Sequence, residues 1–319
     1  MIPYRLNPLG SGWPREGSYG VFLTSSGTAV SSAIVMSGAV VSGADYAQTV
    51  YSHGTARETV ISSGGTMHVS SGGTAGSAFV SGGRLYVSEG GKALHITVNT
   101  GLADILSGGS AADAEVDNTG ILRVLGGGIL NPSVVHSGGS MVVSGGASVT
   151  GLAIESGGRI YLHVAPDTAI SGTSAGFSFS VASAKISGFQ VDGNLVYVES
   201  GGTADALTIN DGGRLYLYAG GIAKNTTINS GGSQTVSAAD SNTQINESGR
   251  QNVYDGGITC SATINSGGSQ VLYSGGLASR TIIKSGGRLT VNSGGTAYSV
   301  VSSAGAIVVS NAGAVITYA

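Results

Sequence analysis

The motif Ser-Gly-Gly returns along this chain with a period of about 18–19 residues, in two interleaved phases. The first phase gives Gly54, Gly73, Gly91, Gly109, Gly202, Gly221, Gly257, Gly276 and Gly295. The second phase gives Gly65, Gly83, Gly101, Gly139, Gly158, Gly213, Gly232, Gly249, Gly268, Gly287 and Gly305. A fixed period of this length is typical of stacked repeats, in which each repeat packs only on its neighbours.

Composition shows that these repeats can form a core. Of the 319 residues, 56 are glycine and only 10% are charged, but 41% are hydrophobic, which is enough to bury an apolar interior. The net charge of -3 and the scattered 14 basic residues give a nucleic-acid partner no electrostatic support. No run of about 18 apolar residues exists, so we expect no membrane insertion by this segment.

The residues between the glycines alternate with a period of two, which predicts β-strands with one face inward. In residues 201–219, Leu215 and Leu217 alternate with Arg214 and Tyr216. The inner pair recurs at Met67/Val69, Leu85/Val87, Leu122/Val124, Ile160/Leu162, Gln234/Val236, Leu289/Val291 and Ile307/Val309. No helical periodicity is sustained anywhere.

Two strands and two turns in about 18–19 residues make one coil of an all-β solenoid. Successive coils would stack about 4.8 Å apart, so about 15 coils would span about 70 Å. Because parallel crossovers have a preferred hand, we predict a right-handed parallel β-helix. A third short strand in each coil stays open at this point.

The repeat divides the chain into four segments. Residues 1–20 read as an irregular leader, 21–162 as a first block of coils, 163–196 as an irregular insert and 197–319 as a second block. The strict alternation around Phe177 and Phe179, together with Phe189, predicts a hairpin or an outsized coil in the insert. Two interpretations follow: an insertion that plugs or bends the solenoid, or a protruding binding surface.

The repeat unit also carries a family resemblance. The form GGTAxxTxIxSGGxxxV, as over residues 202–217 and 276–291, resembles the AIDA-type repeat of autotransporter adhesins, the group that includes antigen 43. The resemblance covers about residues 25–319. Over the insert, DTAISGTSAGFSFSVASAKISGF is similar to the interruption that such passenger domains carry between repeat blocks.

The resemblance implies a right-handed parallel β-helix on the surface of a Gram-negative cell, or released outside it. It implies self-association between cells and biofilm formation, and for some members adhesion to a host-cell glycan or protein. Some members are modified by heptosyltransferases on Ser and Thr of the repeats. Residues 1–20 lack the apolar segment of a secretory signal, so we expect this chain to be a passenger domain or part of one.

The sequence predicts no catalytic, cofactor or metal site. The five histidines are not spaced to share a helix turn or to stack on adjacent coils, and no phosphate loop or nucleophile elbow is found. The 17 acidic residues are spread thinly, which argues against a glycan-degrading β-helix enzyme. The single cysteine, Cys260, excludes an internal disulfide and reads as a small filler residue.

A candidate contact stripe comes from three outward Arg/Tyr pairs, Arg84/Tyr86, Arg159/Tyr161 and Arg214/Tyr216. The glycine phase places them at equivalent positions of their coils. Arg and Tyr are enriched at binding hot spots. Alternatively, these long side chains cover a strand face and oppose edge pairing.

The repeats suggest how such a chain could act. A face rich in Ser, Thr and Asn, presented many times, would turn weak single contacts into multivalent adhesion between copies of the chain. Homotypic adhesion is therefore the leading hypothesis. The alternatives are a passive stalk that projects another domain and, less favoured, a glycan-degrading enzyme.

Overall fold

The computed structural model describes residues 20–25, 28–33, 35–174 and 176–319. The predicted leader at 1–20 lies outside the described residues except for Gly20. The described residues of 1–160 and 170–174 form one compact unit, and those of 161–169 and 176–319 form a second. No helix occurs in the described part of the chain, and thus none that is long and apolar enough to cross a membrane.

The first unit contains the strands β1 Val21–Ser25, β2 Thr28–Ala33, β3 Val35–Ser37, β4 Val40–Val41, β5 Tyr46–Val50, β6 Thr55–Arg57, β7 Val60–Ser62, β8 Thr66–Val69, β9 Thr74–Gly76, β10 Phe79–Val87, β11 Lys92–Leu94, β12 Thr97–Ile105, β13 Ser110–Ala112, β14 Ala114–Val124, β15 Ile129–Leu130, β16 Ser133–Val135, β17 Ser140–Val143 and β18 Ser148–Ile154. Two strands, β19 Arg159–Val164 and β20 Ala169–Ser174, contain residues of both units.

The second unit contains β21 Phe177–Ala182, β22 Lys185–Ser187, β23 Gln190–Val191, β24 Leu195–Val198, β25 Thr203–Asp205, β26 Thr208–Ile209, β27 Arg214–Leu217, β28 Ile222–Lys224, β29 Thr227–Ile228, β30 Ser233–Val236, β31 Ala239–Ser241, β32 Gln244–Ile245, β33 Arg250–Val253, β34 Ile258–Cys260, β35 Thr263–Ile264, β36 Ser269–Leu272, β37 Leu277–Ser279, β38 Ile282–Ile283, β39 Arg288–Val291, β40 Thr296–Ser302, β41 Ile307–Ser310 and β42 Val315–Tyr318. The prediction of an all-β solenoid of about 15 turns is confirmed.

Each regular coil has three strands, which resolves the point that the sequence left open. In the coil that begins at β27, the chain continues through β28 and β29 before β30 starts the next coil. Equivalent strands pair in parallel, so that β27 lies between β24 and β30, β28 between β25 and β31, and β29 between β26 and β32. Each side chain therefore stacks on its equivalents in the neighbouring coils.

Two of the three corners are the predicted glycine turns. A Cβ added to Gly257, the second glycine of its turn, would lie 2.4 Å from the carbonyl oxygen of Val236 in the preceding coil. The first glycine, Gly256, has φ +73° and open space around it, with Ser237 O the nearest atom at 3.7 Å. The two glycines are thus required for different reasons, one for close approach of the coils and one for a left-handed backbone.

The third corner is a single left-handed residue and need not be glycine. Asn225, Ser261 and Arg280 have φ values of 55°, 59° and 56° there. A backbone hydrogen bond to the next coil holds each of them, as from Asn225 N to Ser241 O at 2.9 Å. Because unrelated side chains occupy this position, the sequence carries little sign of the corner.

The inward face is built from the predicted pairs with one exception. Leu85, Val87, Leu289 and Val291 are fully buried, as the alternation predicts. The expected inward pair Ile307/Val309 is wrong, because β41 aligns Leu289 with Val308 and leaves Ile307 39% exposed. Gly305 occupies the first glycine position, with φ +79°, and Ala306 takes the second, so the strand begins one residue later than the glycine phase implies.

The first block of coils begins later than predicted. β1 runs antiparallel to β2 and β5, whereas the parallel pairing of successive coils starts with β3 on β6. β1 and β2 therefore form an antiparallel cap rather than a coil. Such a cap covers the edge of a solenoid, which would otherwise present unpaired backbone groups.

The insert contains both an outsized coil and a hairpin. Within the second unit, the part of β19 from Tyr161 to Val164 pairs directly with β24 in parallel. The residues between these two strands therefore make one long coil without interrupting the pairing of β19 with β24. β21 and β22 form an antiparallel hairpin. Phe179 and Phe189 are 5% and 1% exposed and pack together with ring centroids 4.5 Å apart. The interpretation of these two residues as a protruding surface is thus wrong, and of the three phenylalanines only Phe177 is exposed.

The second unit has a polar layer inside its core. Gln234, Gln251 and Gln270 stack inward, with Gln251 Nε2 donating to Gln234 Oε1 at 3.0 Å and Gln270 Nε2 donating to Gln251 Oε1 at 2.6 Å. The Asp240 carboxylate accepts hydrogen bonds from Gln234, Gln251 and Thr243. In the next coil Thr259 replaces Asp240 and accepts from Gln270 Nε2 at 3.2 Å.

We predict that the two glycines of one turn respond differently to the same substitution. Gly257→Ala should destabilise the fold by more than about 3 kcal/mol, because its Cβ would meet backbone atoms of the preceding coil. Gly256→Ala should cost only about 1–2 kcal/mol, the penalty of a left-handed L-residue. Thermal unfolding of both variants measures the difference, and equal losses would contradict the steric explanation.

We also predict a pH dependence that arises from Asp240. Burial raises the pKa of its carboxyl from 3.8 to about 6, although the three side-chain hydrogen bonds act in the opposite sense. The folded state therefore holds this proton more tightly than the unfolded state. The resulting contribution, about 3 kcal/mol, is present below pH 4 and lost as the pH rises through about 6.

Asp240→Thr, which copies Thr259 of the next coil, should remove this loss of stability between pH 4 and pH 6. Denaturant unfolding across that range measures it. Asp211→Thr serves as the control, since it removes an exposed carboxylate and changes the net charge equally. Parallel pH profiles for the wild-type chain and Asp240→Thr would refute the role of Asp240.

Candidate contact surface

An outward column of aromatic side chains runs along the second unit. The register aligns His163 with Tyr197 and Tyr197 with Tyr216. The His163 and Tyr197 rings are 4.7 Å apart, and the Tyr197 and Tyr216 rings 5.2 Å apart with an interplanar angle of 13°. Stacking of aromatic rings at such distances contributes to stability beyond simple burial.

The predicted equivalence between two of the Arg/Tyr pairs is wrong by two residues. In the strand ladder Tyr161 pairs with Leu195, and Leu195 pairs with Arg214. Arg214 therefore shares a column with Tyr161 and not with Arg159. The reason is that β19 has six residues and β24, which follows it in the ladder, has four. Arg159 is exposed and Tyr161 half-buried, so both still point outward. A hydrogen bond to Tyr216 holds the pKa of Arg214 above its usual value.

The remaining predicted pair lies in the first unit. Arg84 is exposed and its Nη1 lies 3.4 Å from the hydroxyl of Tyr86, whose ring stacks on His68 at 5.1 Å. Arg84 lines a groove of about 540 Å³ together with Gly82, Gly83, Gly101, Leu102, Ile121 and Arg123. Arg123 is already paired with the buried carboxylate of Asp104, which leaves Arg84 as the more open cation there.

Three tyrosines that the sequence did not single out lie at the start of the first glycine corner. Tyr218 and Tyr254 are 48% and 40% exposed. The Tyr254 and Tyr273 rings stack with centroids 4.4 Å apart and an interplanar angle of 3°. Tyr254 and Tyr273 each follow a strand directly and are one full repeat apart, and this recurrence is the signal that could have identified them.

Asparagine ladders line the corners of the second unit. Asn229, Asn246 and Asn265 each donate from Nδ2 to the Oδ1 of the preceding ladder member, at 2.8, 2.8 and 2.7 Å. The ladder begins at Asn210. These amides thus form hydrogen bonds with one another along the solenoid. The adhesion hypothesis assigned asparagine hydrogen bonds to contacts between copies, but part of this hydrogen-bonding capacity is used within the chain.

The serines of the Ser-Gly-Gly corners are exposed hydroxyls in register. Ser266, Ser274, Ser285 and Ser293 are all exposed. A Cβ on the first glycine of the next coil would collide with the serine below it, as at Gly286, where it would lie 2.6 Å from Ser266 Oγ. The glycine therefore leaves room for the serine of the preceding coil, and the hydroxyls stay accessible.

Charged contacts on the surface are few and local among the described residues. His136 Nδ1 lies 2.8 Å from Glu155 Oε2, and this contact raises the pKa of His136. The Arg280 guanidinium, 2.9 Å from Cys260 Sγ, lowers the pKa of the half-buried Cys260 thiol. Within the described ranges, no cluster of three or more His, Cys, Asp and Glu residues could hold a metal ion.

Comparison with known proteins agrees with this architecture. Residues 187–249 match a family described as "Adhesin of bacterial autotransporter system, probable stalk". Among curated proteins no match is found. The crystal structure of a TibC-catalysed hyper-glycosylated TibA fragment is similar to this chain, with 34% identity, a TM-score of 0.55, and coverage of 89% of this chain and 99% of that fragment.

Identity of this level over nearly the whole length of the solved fragment exceeds what a shared fold alone requires. The family match lies in the second unit, over regular coils with the three-strand geometry described above. The chain belongs to the AIDA-type family of autotransporter adhesins.

Proposed function

We propose that this chain is a non-enzymatic adhesin passenger, carried on the bacterial cell surface or released from it, that joins cells by contacts between copies of itself. The observation that supports this most is the 34% identity to the TibA fragment across nearly all of that fragment. Autoaggregation, biofilm formation and adhesion to a host-cell glycan or protein are the activities that we assign to it.

Repetition makes self-association physically reasonable. Outward hydroxyls recur at the same position of several coils, as at Thr208 and Thr227 on the adjacent strands β26 and β29. Thr263 on β35 follows in the same column, after Gln244 of β32. A single hydrogen-bonded contact between two copies would be weak, but contacts repeated along the solenoid add by multivalency. The low net charge of -3 keeps repulsion between copies small.

We further propose that the chain is a substrate for O-glycosylation by a heptosyltransferase. The TibA fragment was glycosylated by TibC. In this chain the Ser-Gly-Gly serines are the best acceptors, because their hydroxyls are exposed at a tight turn and face a glycine in the next coil. A sugar there would extend outward without disturbing the strands.

A passive stalk is the second candidate, and the family description itself favours it. A stalk would project another domain and would need no contacts of its own. Deleting coils of the second unit distinguishes the two functions, because loss of aggregation assigns adhesion to the coils, and unchanged aggregation assigns it elsewhere.

The glycosylation proposal predicts where the sugars attach. After co-expression with a heptosyltransferase, a variant with four corner serines changed to Ala should have an intact mass that is lower than that of the wild-type chain by as many as four sugar increments. The four are Ser266, Ser274, Ser285 and Ser293. The matched control changes four half-buried strand hydroxyls to Ala: Thr263, Ser269, Ser279 and Thr290. A loss of sugar only in the control would contradict the choice of the corner serines.

The self-association proposal predicts reversible oligomers in analytical ultracentrifugation and clumping of cells that display the chain. A variant with Thr208, Thr227 and Thr263 all changed to Glu should show weaker oligomers and less clumping, since like charges would face each other between copies. Changing the same three residues to Ser should leave both nearly intact. A strictly monomeric wild-type chain whose displaying cells stay dispersed would refute the proposal.

A further inference from the structure

One coil of the second unit has a shortened corner. Leu217 pairs with Val236, and Ile222 pairs with Ala239. The sequence separation of the second pair is two residues shorter than that of the first. Two residues are therefore missing between β30 and β31, where Ser237 and Ala238 replace the four-residue glycine turn. The turns of the coils on either side, which contain Gly220 and Gly256, keep their full length.

The shortened corner lies between two tyrosines. Backbone hydrogen bonds place Ser237 directly above Tyr218 and below Tyr254, since Ser237 N donates to Leu217 O and Tyr254 N donates to Val236 O. The far face of Tyr254 is covered by Tyr273, and Tyr218 stacks on Tyr197 with centroids 6.2 Å apart. Among the described residues, no aromatic ring covers the faces that Tyr218 and Tyr254 turn toward Ser237.

We name this site the tyrosine notch, with Tyr218 and Tyr254 as walls and Ser237 as floor. The backbones that carry the two walls are two coil spacings apart, about 9.6 Å, which sets the expected width of the notch. A six-membered ring midway between them would lie about 4.8 Å from each tyrosine, within the range of stacked rings. Where tyrosines occupy adjacent coils, as Tyr254 and Tyr273 do, the rings contact each other and leave no such space.

The rim of the notch is polar. Ser237 and Thr235 are half-buried hydroxyls, and the exposed carboxylate of Asp255 follows Tyr254 in the chain. Asn252, on the neighbouring outward column, accepts a hydrogen bond from Arg250 Nε at 3.0 Å, which orients its amide. Two apolar faces with hydrogen-bonding groups at their edge match a pyranose, which has C–H faces and a hydroxyl perimeter. The Asp255 carboxylate disfavours an anionic sugar.

We propose that the tyrosine notch binds a neutral pyranose ring of a glycan between Tyr218 and Tyr254. An aromatic side chain from a second copy is the competing occupant. It would fill the space between the walls but leave the hydroxyl, carboxylate and amide of the rim without partners from the guest. The site rests on the proposed adhesin function only for its exposure to cell-surface glycans, and binding needs no self-association.

The test is saturation-transfer-difference NMR on the full chain with methyl α-mannopyranoside, methyl β-glucopyranoside, methyl β-galactopyranoside and N-acetylglucosamine, each at about 10 mM to suit millimolar affinity. At least one sugar should receive saturation at its ring protons. Ser237→Tyr, which places a third tyrosine between the walls, should abolish the transfer. Tyr254→Ala should weaken binding about tenfold, or about 1.4 kcal/mol.

Two control variants separate stacking from general effects. Tyr254→Phe keeps the ring face and should retain binding, and Tyr298→Ala removes an exposed tyrosine outside the notch and should change nothing. Thermal unfolding confirms that each variant is folded. No transfer to any of the four sugars in the wild-type chain, or transfer that survives Ser237→Tyr, overturns the proposal.

Ultracentrifugation of the same variants distinguishes this proposal from self-association. Oligomers that persist in Ser237→Tyr while sugar binding is lost would support both proposals as independent. Sugar binding by a monomeric wild-type chain would support the notch alone. Oligomers that dissociate in Ser237→Tyr, without sugar binding by the wild-type chain, would assign the notch to a second copy and overturn the pyranose proposal.

Discussion

The spacing of about 4.8 Å between paired strands is the constraint on which the rest of each unit depends. It brings every residue into contact with its equivalents in the coils before and after it. At Gly257 this leaves no room for a Cβ against the carbonyl of Val236. At Gln251 it places two further glutamines within hydrogen-bond distance. The residue that fits at a position is therefore decided mainly by its equivalents in the neighbouring coils.

The same constraint shapes the surface. Columns of like residues satisfy one another, as the asparagine ladder and the stacked tyrosines do. A column becomes available to an outside ligand where it is interrupted or where its groups point away from the chain. At the corner serines the hydroxyl groups point away from the chain, whereas at the tyrosine notch Ser237 interrupts the column. A repeat adhesin can thus carry a specific site without any loop rising from its coils.

Much of the architecture was predictable because two of its three corners are marked by glycine. The period, the inward pairs such as Leu85/Val87 and the absence of helix in the described chain all followed from the alternation between those glycines. The third corner was not predictable, because Asn225, Ser261 and Arg280 share a backbone conformation and no side-chain property. Where glycine misleads, as at Gly305, the predicted face of Ile307 was wrong as well.

The candidate surface was predictable to a smaller degree. The sequence by itself determined a stacked β-fold, its period, and an outer face with Arg, Tyr and hydroxyl side chains, because these depend on local alternation and on turns. The tertiary structure alone decided which outward residues meet. The six residues of β19 shift Tyr161 into register with Arg214, and a two-residue deletion sets Ser237 between Tyr218 and Tyr254. Register depends on the summed length of every strand and corner between two positions, and those lengths are visible only when the chain is folded.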